Sequence, residues 1–262
     1  MSLHLGGSGV LVTGASSGIG AGLAEAFAAA GADVGICARR PDRLEETAQR
    51  CRAHGHPVHS WTCDLSDPEQ VDRLAVDAMD ALGRVDILVN NAGIPKRRDV
   101  AALDAATVEA VTRINYLSPV RLTLALLPQM LERGSGRVVN LSSVAATLSS
   151  PGESAYSASK AALAVFSEAM AVDLWDRGVR VLVVYPGVVD TELFTLPDND
   201  PFTAPVEAIT VDELVAEVFD ALERDAVEVY VPGYFKDFAT GKANDVAGFL
   251  AGAAEFTRQQ RG

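Results

Sequence analysis

Short apolar runs rich in β-branched residues alternate with longer amphipathic segments along most of the sequence. In chain order the short runs are GVLVTG, DVGICA, PVHSWTC, VDILVN, RVVNLSS, VRVLVVYP and VEVYVP. Strands that are separated by helical crossovers pair in parallel, and such a sheet is covered on both faces. The alternation therefore predicts an α/β fold, a doubly wound parallel sheet of about seven strands with helices on both faces.

The amphipathic segments predict the helices between these strands. They lie up to Ala30, near 41–53, near 67–82, within 104–132, through YSASK and near 212–224. No repeat or linker divides the chain, so we expect one domain over residues 1–262. Within it, residues 191–210 follow a strand end and contain three prolines, which predicts a lid over a substrate site, and residues 233–262 form a C-terminal extension.

The chain is acidic, with a net charge of -13 over 262 residues. Binding to nucleic acid or to an anionic membrane depends on clustered Lys and Arg, so neither partner is expected. The N-terminus lacks a basic stretch followed by a long apolar run, and no apolar window is long enough to span a bilayer. We expect a cytoplasmic protein.

The cysteines and histidines predict neither a disulfide framework nor a metal site. Cys37, Cys51 and Cys63 are odd in number and lack a C-x-x-C spacing. The histidine-rich stretch HGHPVH at 54–59 lacks acidic partners and falls in a predicted helix-to-strand turn. We therefore expect no metal.

A glycine-rich turn leads from the first predicted strand directly into a helix. Gly14, Gly18 and Gly20 lie in this turn, within LVTGASSGIGAGLAEAF. Glycines there let the backbone approach a pyrophosphate, whose charge is stabilised by the free N–H groups of the helix N-terminus. The G-x-x-x-G-x-G spacing differs from the G-x-G-x-x-G fingerprint and leaves a simple tight turn as the alternative, but the strand-turn-helix context favours nucleotide binding.

The end of the second predicted strand indicates which nucleotide is bound. An acidic residue there would bond a ribose 2′-hydroxyl, but Asp33 opens the strand and so lies at the opposite edge of the sheet. The strand ends instead in Arg39 and Arg40, and guanidinium groups suit a 2′-phosphate by charge and by forked geometry. The sequence favours NADP over NAD; the alternative is that both arginines face solvent beside Glu45 and Glu46.

The stretch YSASK at 156–160 places a phenol and an ammonium four residues apart in a segment of high helix propensity. Positions i and i+4 of a helix share one face. A cation so close favours the ionised phenol, which would lower the pKa of Tyr156 from its usual value of about 10. The pentapeptide alone leaves open a surface Tyr156 that stacks on the stem of Lys160.

Seven separated motifs together resemble the short-chain dehydrogenase/reductase family. In order and spacing they are TGASSGIG, CDLSD around Asp64, NNAG at 90–93, Asn115, LSS ending at Ser143, YSASK, and YPGVVDT through Thr191. The resemblance extends to about Pro232. It implies a Rossmann-type fold, a nicotinamide cofactor and oxidoreductase chemistry.

The resemblance implies a role for each residue of a catalytic set. Tyr156 is similar to the family's general acid/base, and Lys160 to the residue that bonds the nicotinamide ribose and lowers the pKa of the tyrosine. Ser143, 13 residues before Tyr156, resembles the serine that orients the substrate; Ser142 competes for that role, but the spacing favours Ser143. Asn115 is similar to the asparagine that holds a water for proton relay.

The resemblance also implies which residues contact the cofactor, many of them through the backbone. The expected set is Gly14, Ser16, Ser17, Gly18, Ile19, Gly20, Arg39, Arg40, Asp64, Leu65, Asn90, Asn91, Ala92, Gly93, Tyr156, Lys160, Pro186, Gly187, Val189 and Thr191. For Asn90 the alternative is that its side chain braces a strand end.

The sequence defines the substrate side less closely. The run KRR at 96–98 could attract an anionic substrate, but a solvated charge run is the favoured interpretation. Phe194, Leu196 and Phe202 in the predicted lid indicate an apolar substrate, the alternative being packing of that loop on the body. The Ala-rich end of the extension predicts a helix that closes the pocket or packs on another subunit.

The predicted function is that of an NADPH-dependent ketone or aldehyde reductase. It would transfer a hydride between the nicotinamide of NADP(H) and a carbonyl or secondary alcohol substrate, with Tyr156 as general acid/base. The alternatives are an NAD-dependent alcohol dehydrogenase, an epimerase or dehydratase, and a non-catalytic NADP(H)-sensing protein. A serine hydrolase is poorly supported, because no histidine follows Ser154. The resemblance implies a homodimer or homotetramer.

Overall fold

The computed structural model describes residues 5–202 and 206–261. Residues 203–205 of the predicted lid lie outside the described residues. So do residues 1–4 and 262, the two ends of the predicted domain, and 262 is also the last residue of the predicted extension.

The strand-like runs form one seven-stranded sheet within the described residues. The strands are β1 (Gly9–Thr13), β2 (Asp33–Ala38), β3 (Val58–Thr62), β4 (Ile87–Asn90), β5 (Gly136–Leu141), β6 (Val179–Pro186) and β7 (Glu228–Val231). Their order is β3-β2-β1-β4-β5-β6-β7, and each neighbouring pair is parallel. The predicted doubly wound α/β fold is confirmed.

Helices connect the strands, and their ends follow local sequence signals. They are α1 (Gly18–Ala29), α2 (Pro41–Arg52), α3 (Pro68–Leu82), α4 (Ala105–Thr112), α5 (Ser118–Arg133), α6 (Ala145–Leu148), α7 (Ser154–Asp173), α8 (Val211–Glu223), α9 (Phe235–Asn244) and α10 (Val246–Arg261). For example, the Asp67 side chain accepts a hydrogen bond from the Glu69 N–H at the start of α3. That helix ends at Gly83, which has a φ of 70°.

The helix predicted within 104–132 is interrupted. Between α4 and α5 the chain forms a π-helical turn over Arg113–Leu117. Such a turn inserts an extra residue into the helical repeat, and it is found mostly as a single turn at functional sites. Asn115 lies in the middle of it.

The core consists of two apolar layers, one on each face of the sheet. Val10 and Val12 of β1 face the layer under α1, α2 and α8, and Leu11 faces the layer under α3 and α5. Alternate residues of a strand point to opposite faces, so a strand buried on both sides is apolar at every position. Cys37 and Cys63 are buried in the second layer, as expected for small core residues.

The strand order places a functional edge. The chain runs outward from β1 to β2 and β3 and then returns to start β4 on the other side of β1. Open α/β sheets bind ligands outside the carboxyl ends of their strands at this reversal point. The loops after β1 and β4 meet there.

The C-terminal extension folds back on this edge as α9 and α10. Phe235 packs against Gly187 so closely that a Cβ on that glycine would lie 2.4 Å from the ring. The Lys242 ammonium donates hydrogen bonds to the Thr147 carbonyl at 2.6 Å and to the Ser149 hydroxyl at 2.7 Å. No helix among the described residues is long and apolar enough to cross a bilayer.

Candidate active site

A cavity of about 1060 Å³ lies at the carboxyl edge of the sheet. Its floor is formed by the turn after β1 and by the residues that follow β4 and β5. Residues 191–202, here called the 191–202 segment, and one face of α10 form its upper walls. Its volume is at the upper end of the range for small-molecule and cofactor sites.

The glycines of the turn after β1 are required by its packing on the loop after β4. Gly14 has a φ of 68°, and a Cβ there would lie 2.7 Å from the Ala92 Cα. A Cβ on Gly20 would lie 2.4 Å from the Asn91 side-chain nitrogen. Gly18, with a φ of 54°, opens α1, whose first turn receives no side-chain cap. The free N–H groups of that turn suit an anion such as a pyrophosphate.

Arg40 is fixed against the glycine turn. Its Nη2 donates to Ser17 Oγ at 2.8 Å and to Ser16 Oγ at 3.3 Å, and its Nη1 pairs with the Glu192 carboxylate at 2.7 Å. Arg39 is exposed, and both arginines line the cavity. Arg40 therefore turns toward the glycine turn and Glu192, and not toward the carboxylates of α2.

The two asparagines after β4 brace the fold. Buried Asn90 donates its amide to Asn140 Oδ1 at 2.8 Å and to Thr123 Oγ1 at 3.0 Å, which matches the strand-end alternative for that residue. The Asn91 amide donates to the Thr13 carbonyl at 2.9 Å. The side chain of Asn91 therefore positions the glycine turn.

Ser142 and Ser143 have different environments at the end of β5. Ser142 Oγ donates to the Lys160 carbonyl at 2.9 Å and is buried below α7. Ser143 Oγ accepts from the Ala145 N–H at 3.1 Å, and its hydroxyl lowers the pKa of the Tyr156 phenol. Both serines line the cavity, together with Tyr156, and the choice of Ser143 over Ser142 stays a prediction.

Tyr156 and Lys160 share one face of α7, with the Lys160 ammonium 5.9 Å from the phenol ring centre. That ammonium donates to the Leu141 carbonyl at 2.7 Å, and burial lowers the pKa of Lys160 to about 8. Burial also raises the pKa of Tyr156, the Glu153 carboxylate raises it further, and the Ser143 hydroxyl acts in the opposite direction. The net direction is opposite to the one expected from the spacing alone.

Asn115 is completely buried and binds the loop after β4. Its Oδ1 accepts from the Ile94 N–H at 2.8 Å, and its Nδ2 donates to the Ile94 carbonyl and to Ser159 Oγ, both at 3.0 Å. A Cβ on Gly93 would lie 3.2 Å from Asn115 Oδ1 and 3.3 Å from the Lys160 ammonium. Asn115 therefore shapes the cavity floor from below.

The interpretation of residues 96–98 as a solvated charge run is wrong. The Lys96 ammonium and the Arg98 guanidinium each pair with the Asp198 carboxylate at 2.6 Å. Asp198 lies in the 191–202 segment, so the two cations fasten this segment to the loop after β4. The partner lies 102 residues away from Lys96, and no local sequence signal predicts it.

Arg97 is the central part of this attachment and is only 5% exposed. Its Nε donates to the Asp200 carbonyl and its Nη2 to the Phe194 carbonyl, both at 2.9 Å. Its guanidinium also lies 5.6 Å from the centre of the Phe194 ring. The backbone N–H of Arg97 donates to Asn199 Oδ1 at 2.8 Å.

Sequence reasoning missed two acidic residues in the cavity wall. Glu153, one helical turn before Tyr156, is buried, and burial raises the pKa of its carboxyl above the usual range. Glu192 bonds Arg40, and that bond lowers the pKa of the Glu192 carboxyl. The i, i+3 spacing to Tyr156 was a signal for Glu153, whereas nothing in the sequence pairs Glu192 with Arg40.

The structure brings most of the predicted site residues to the cavity. Those that line it are Gly14, Ser16, Ser17, Gly18, Ile19, Arg39, Arg40, Asp64, Leu65, Asn91, Ala92, Gly93, Ser143, Tyr156, Lys160, Pro186, Gly187, Val189 and Thr191. Gly20, Asn90 and Asn115 lie behind it. Its remaining wall is largely apolar and includes Phe194, Leu196, Phe202, Phe249 and Phe256. Among the described residues, no group of three or more His, Cys, Asp or Glu side chains is placed to hold a metal ion.

Comparison with known proteins gives consistent matches. The model of the family described as short chain dehydrogenase matches residues 8–200. The mouse dehydrogenase/reductase SDR family member 7B is 34% identical over 241 residues, covering 88% of this chain and 75% of that protein. The ketoacyl reductase HetN of Nostoc sp. is 36% identical over 226 residues, covering 86% of this chain and 78% of that protein.

A solved structure supports the same relationship. The short-chain dehydrogenase from Sphingobium yanoikuyae in complex with NADPH superimposes with a TM-score of 0.81 at 31% identity. The match covers 91% of this chain and 94% of that one.

Proposed function

The chain belongs to the short-chain dehydrogenase family, and from this premise we propose that it is an NADP(H)-dependent reductase of ketones or aldehydes. The observation that carries the proposal is that Ser143 and Tyr156 lie in the wall of a cavity that also contains the glycine turn and Arg40. A candidate proton donor and the glycine turn proposed to bind a nucleotide thus line the same cavity.

A bound nicotinamide cofactor would supply or accept the hydride. The protein's part in reduction is to hold the carbonyl oxygen and to protonate it. Tyr156 donates the proton, and Ser143 donates a second hydrogen bond to the oxygen where negative charge develops. The Tyr156 phenol is protonated at neutral pH, as a proton donor must be, and its raised pKa makes it a weaker acid than a free phenol.

Lys160 and Asn115 act from below the reacting group. We propose that the Lys160 ammonium holds the ribose of the nicotinamide half, since it lies beside Gly93 in the cavity floor. Burial has already removed much of its hydration, so a ligand oxygen would replace few water contacts. Asn115 keeps the loop after β4 in place.

The proposal that the cofactor is NADP and not NAD rests on the two arginines that follow β2. Arg39 and Arg40 follow β2, and Arg40 is already oriented by Ser16 and Ser17. The charge and the fork of a guanidinium fit a 2′-phosphate. The solved relative from Sphingobium yanoikuyae binds NADPH, which agrees with this assignment.

We also propose that the 191–202 segment acts as the lid of the substrate site and that α10 closes its far side. Aromatic and aliphatic side chains from both elements line the cavity, so an apolar ketone or aldehyde is the substrate class that fits. We further propose that the chain is one cytoplasmic catalytic domain and that it assembles as a homodimer or homotetramer.

Tyr156→Phe tests the function. The variant should bind NADPH with unchanged affinity in a fluorescence titration, while NADPH oxidation with a ketone or aldehyde panel falls by about 10² to 10⁴. Tyr116→Phe is the matched control, because Tyr116 packs on Phe166 and does not line the cavity. Unchanged turnover in Tyr156→Phe would contradict the assignment.

A parallel titration of the wild type with NADPH and NADH tests the cofactor. Tighter binding of NADPH that is lost in Arg39→Ala would support the 2′-phosphate site. Preference for NADH would replace the proposal with an NAD-dependent alcohol dehydrogenase. Binding of NADPH without turnover of any carbonyl substrate would favour a sensing protein.

A further inference from the structure

The Glu192 carboxylate is bound to the guanidinium that the proposed function assigns to the 2′-phosphate. Arg40 Nη1 and Glu192 Oε2 are 2.7 Å apart, and Arg43 Nη2 lies 3.9 Å from the other oxygen of the same carboxylate. Ser16 and Ser17 fix the rest of the Arg40 fork. The Glu192 carboxylate therefore occupies a preformed anion site.

This site is open to a ligand. The side chains of Arg40 and Glu192 are 46% and 41% exposed, and Ser16, Ser17, Arg40 and Glu192 all line the cavity. A phosphate monoester carries a charge of about -1.5 to -2 and three strong acceptor oxygens. It would require the same Arg40 N–H group that Glu192 holds, and two anions so close to one cation repel each other.

We propose that Glu192 is an internal competitor for the 2′-phosphate and thus a residue that sets cofactor specificity. Resting on the proposed NADP(H) function, the inference adds that Glu192 lowers the affinity for NADP(H) and not that for NAD(H). A dinucleotide without the phosphate leaves the Arg40–Glu192 pair intact. A dinucleotide with the phosphate must displace the carboxylate.

The position of Glu192 gives the competition a structural consequence. Glu192 begins a one-turn 3-10 helix, Glu192–Phe194, near the start of the 191–202 segment. The far end of that turn is held by Arg97 at the Phe194 carbonyl. Displacement of Glu192 from Arg40 frees the start of the turn, while Arg97 still holds its end. Binding of the 2′-phosphate would therefore loosen the start of the 191–202 segment, which forms one wall of the cavity.

A different arrangement makes the opposite prediction. If the Arg40–Glu192 pair instead closed over the bound cofactor as a strap, removing the Glu192 carboxylate would weaken the binding of NADPH and of NADH to the same extent. Competition changes only ligands that carry the 2′-phosphate. The two arrangements are therefore separated by a pair of ligands that differ in this phosphate alone.

The test uses 2′,5′-ADP and 5′-AMP, titrated calorimetrically into the full-length wild type, Glu192→Gln and Glu45→Gln at fixed ionic strength. Glu45 is the matched control, since it forms an exposed pair with Arg52 at 2.7 Å and does not line the cavity. We expect Glu192→Gln to bind 2′,5′-ADP about three- to tenfold more tightly and 5′-AMP unchanged. Glu45→Gln should match the wild type for both.

Each other outcome has a defined meaning. Unchanged or weaker binding of 2′,5′-ADP to Glu192→Gln overturns the competition, and equal weakening of both ligands identifies the strap. A thermal melt checks folding, and Glu192→Ala serves if the glutamine variant is unstable. If the wild type binds 2′,5′-ADP no more tightly than 5′-AMP, the NADP assignment itself fails, a result distinct from failure of the competition alone.

Discussion

The Lys160 ammonium donates a 2.7 Å hydrogen bond to the Leu141 carbonyl in the cavity floor and lies 5.9 Å from the centre of the Tyr156 ring. A buried cation with a neutral partner is expensive to keep charged, and burial accordingly lowers the pKa of Lys160 to about 8. The site thus contains a buried lysine whose charge lowers the stability of the folded chain.

The cost predicts a pH-dependent effect of Lys160→Met. The pKa of Lys160 is about 8 in the folded chain against an ordinary lysine value of 10.5, so the unfolded chain binds more protons between these pH values. The penalty is complete below pH 8 and disappears as the pH rises to about 10.5. We expect Lys160→Met to be more stable at pH 7 by about 2 kcal/mol, after allowing for the lost hydrogen bond.

The measurement is urea unfolding of both proteins without nucleotide from pH 7 to pH 10. Only the difference between the variant and the wild type is informative, because Tyr156 and the buried Cys37 have raised pKa values and lower the stability of both proteins at alkaline pH. The difference should shrink as the pH rises. A difference that does not vary with pH would show that Lys160 is not strained by burial.

Neighbouring serines predict a separation of stability from catalysis. Ser143→Ala removes the hydroxyl that we propose binds the substrate oxygen, so kcat should fall by about 10² to 10³ with little change in unfolding free energy. Ser142→Ala removes a buried bond to the Lys160 carbonyl and should cost about 1 kcal/mol of stability while kcat stays within about threefold. Steady-state kinetics and urea unfolding of both variants would test this, and the reverse pattern would exchange the two roles.

Glu153 predicts a shift in the pH profile of reduction. Its carboxylate raises the pKa of Tyr156, and the proposed reduction requires a protonated phenol. Glu153→Gln removes the negative charge at nearly constant volume, so the alkaline limb of kcat/KM should move to lower pH. Glu168→Gln is the control on the same helix, because Glu168 accepts a bond from Tyr185 at 3.2 Å and does not line the cavity. A profile that stays in place in Glu153→Gln would remove Glu153 from the tuning of Tyr156.

The sheet and most of the cavity floor were predictable because their signals are local. Short runs rich in β-branched residues such as VRVLVVYP favour strands buried on both faces, and Gly14 marks the turn whatever lies beyond it. Parallel pairing then brings the carboxyl ends of the strands to one edge, which places Ser143 near the loop after β4 without further information.

The upper wall was not predictable because its contacts join distant parts of the chain. Lys96 and Arg98 look solvated until Asp198 is placed beside them, and Arg40 has carboxylates nearer in sequence than Glu192. A charged side chain specifies what kind of partner it needs but not which one. The prediction of a lowered pKa for Tyr156 is wrong for a related reason. The spacing reveals Lys160 but not the burial of the phenol, and burial raises the pKa by more than the cation lowers it.

The three cations at 96–98 predict unequal effects on the proposed lid. Arg97→Ala leaves the carbonyls of Phe194 and Asp200 without their charged donor, and each such bond is worth about 1.5 to 3 kcal/mol. The 191–202 segment should detach, so KM for an apolar ketone should rise about tenfold or more and proteolysis within the segment should accelerate.

Arg98→Ala is the matched comparison for Arg97→Ala. It removes an exposed ion pair to Asp198, which keeps Lys96 as a partner, so KM should change by no more than about threefold. Because both variants delete one positive charge from the same loop, a simple electrostatic attraction of substrate would affect them equally. Equal increases in KM would therefore argue against the attachment of the 191–202 segment by Arg97, whereas a large effect confined to Arg97→Ala follows from its buried hydrogen bonds.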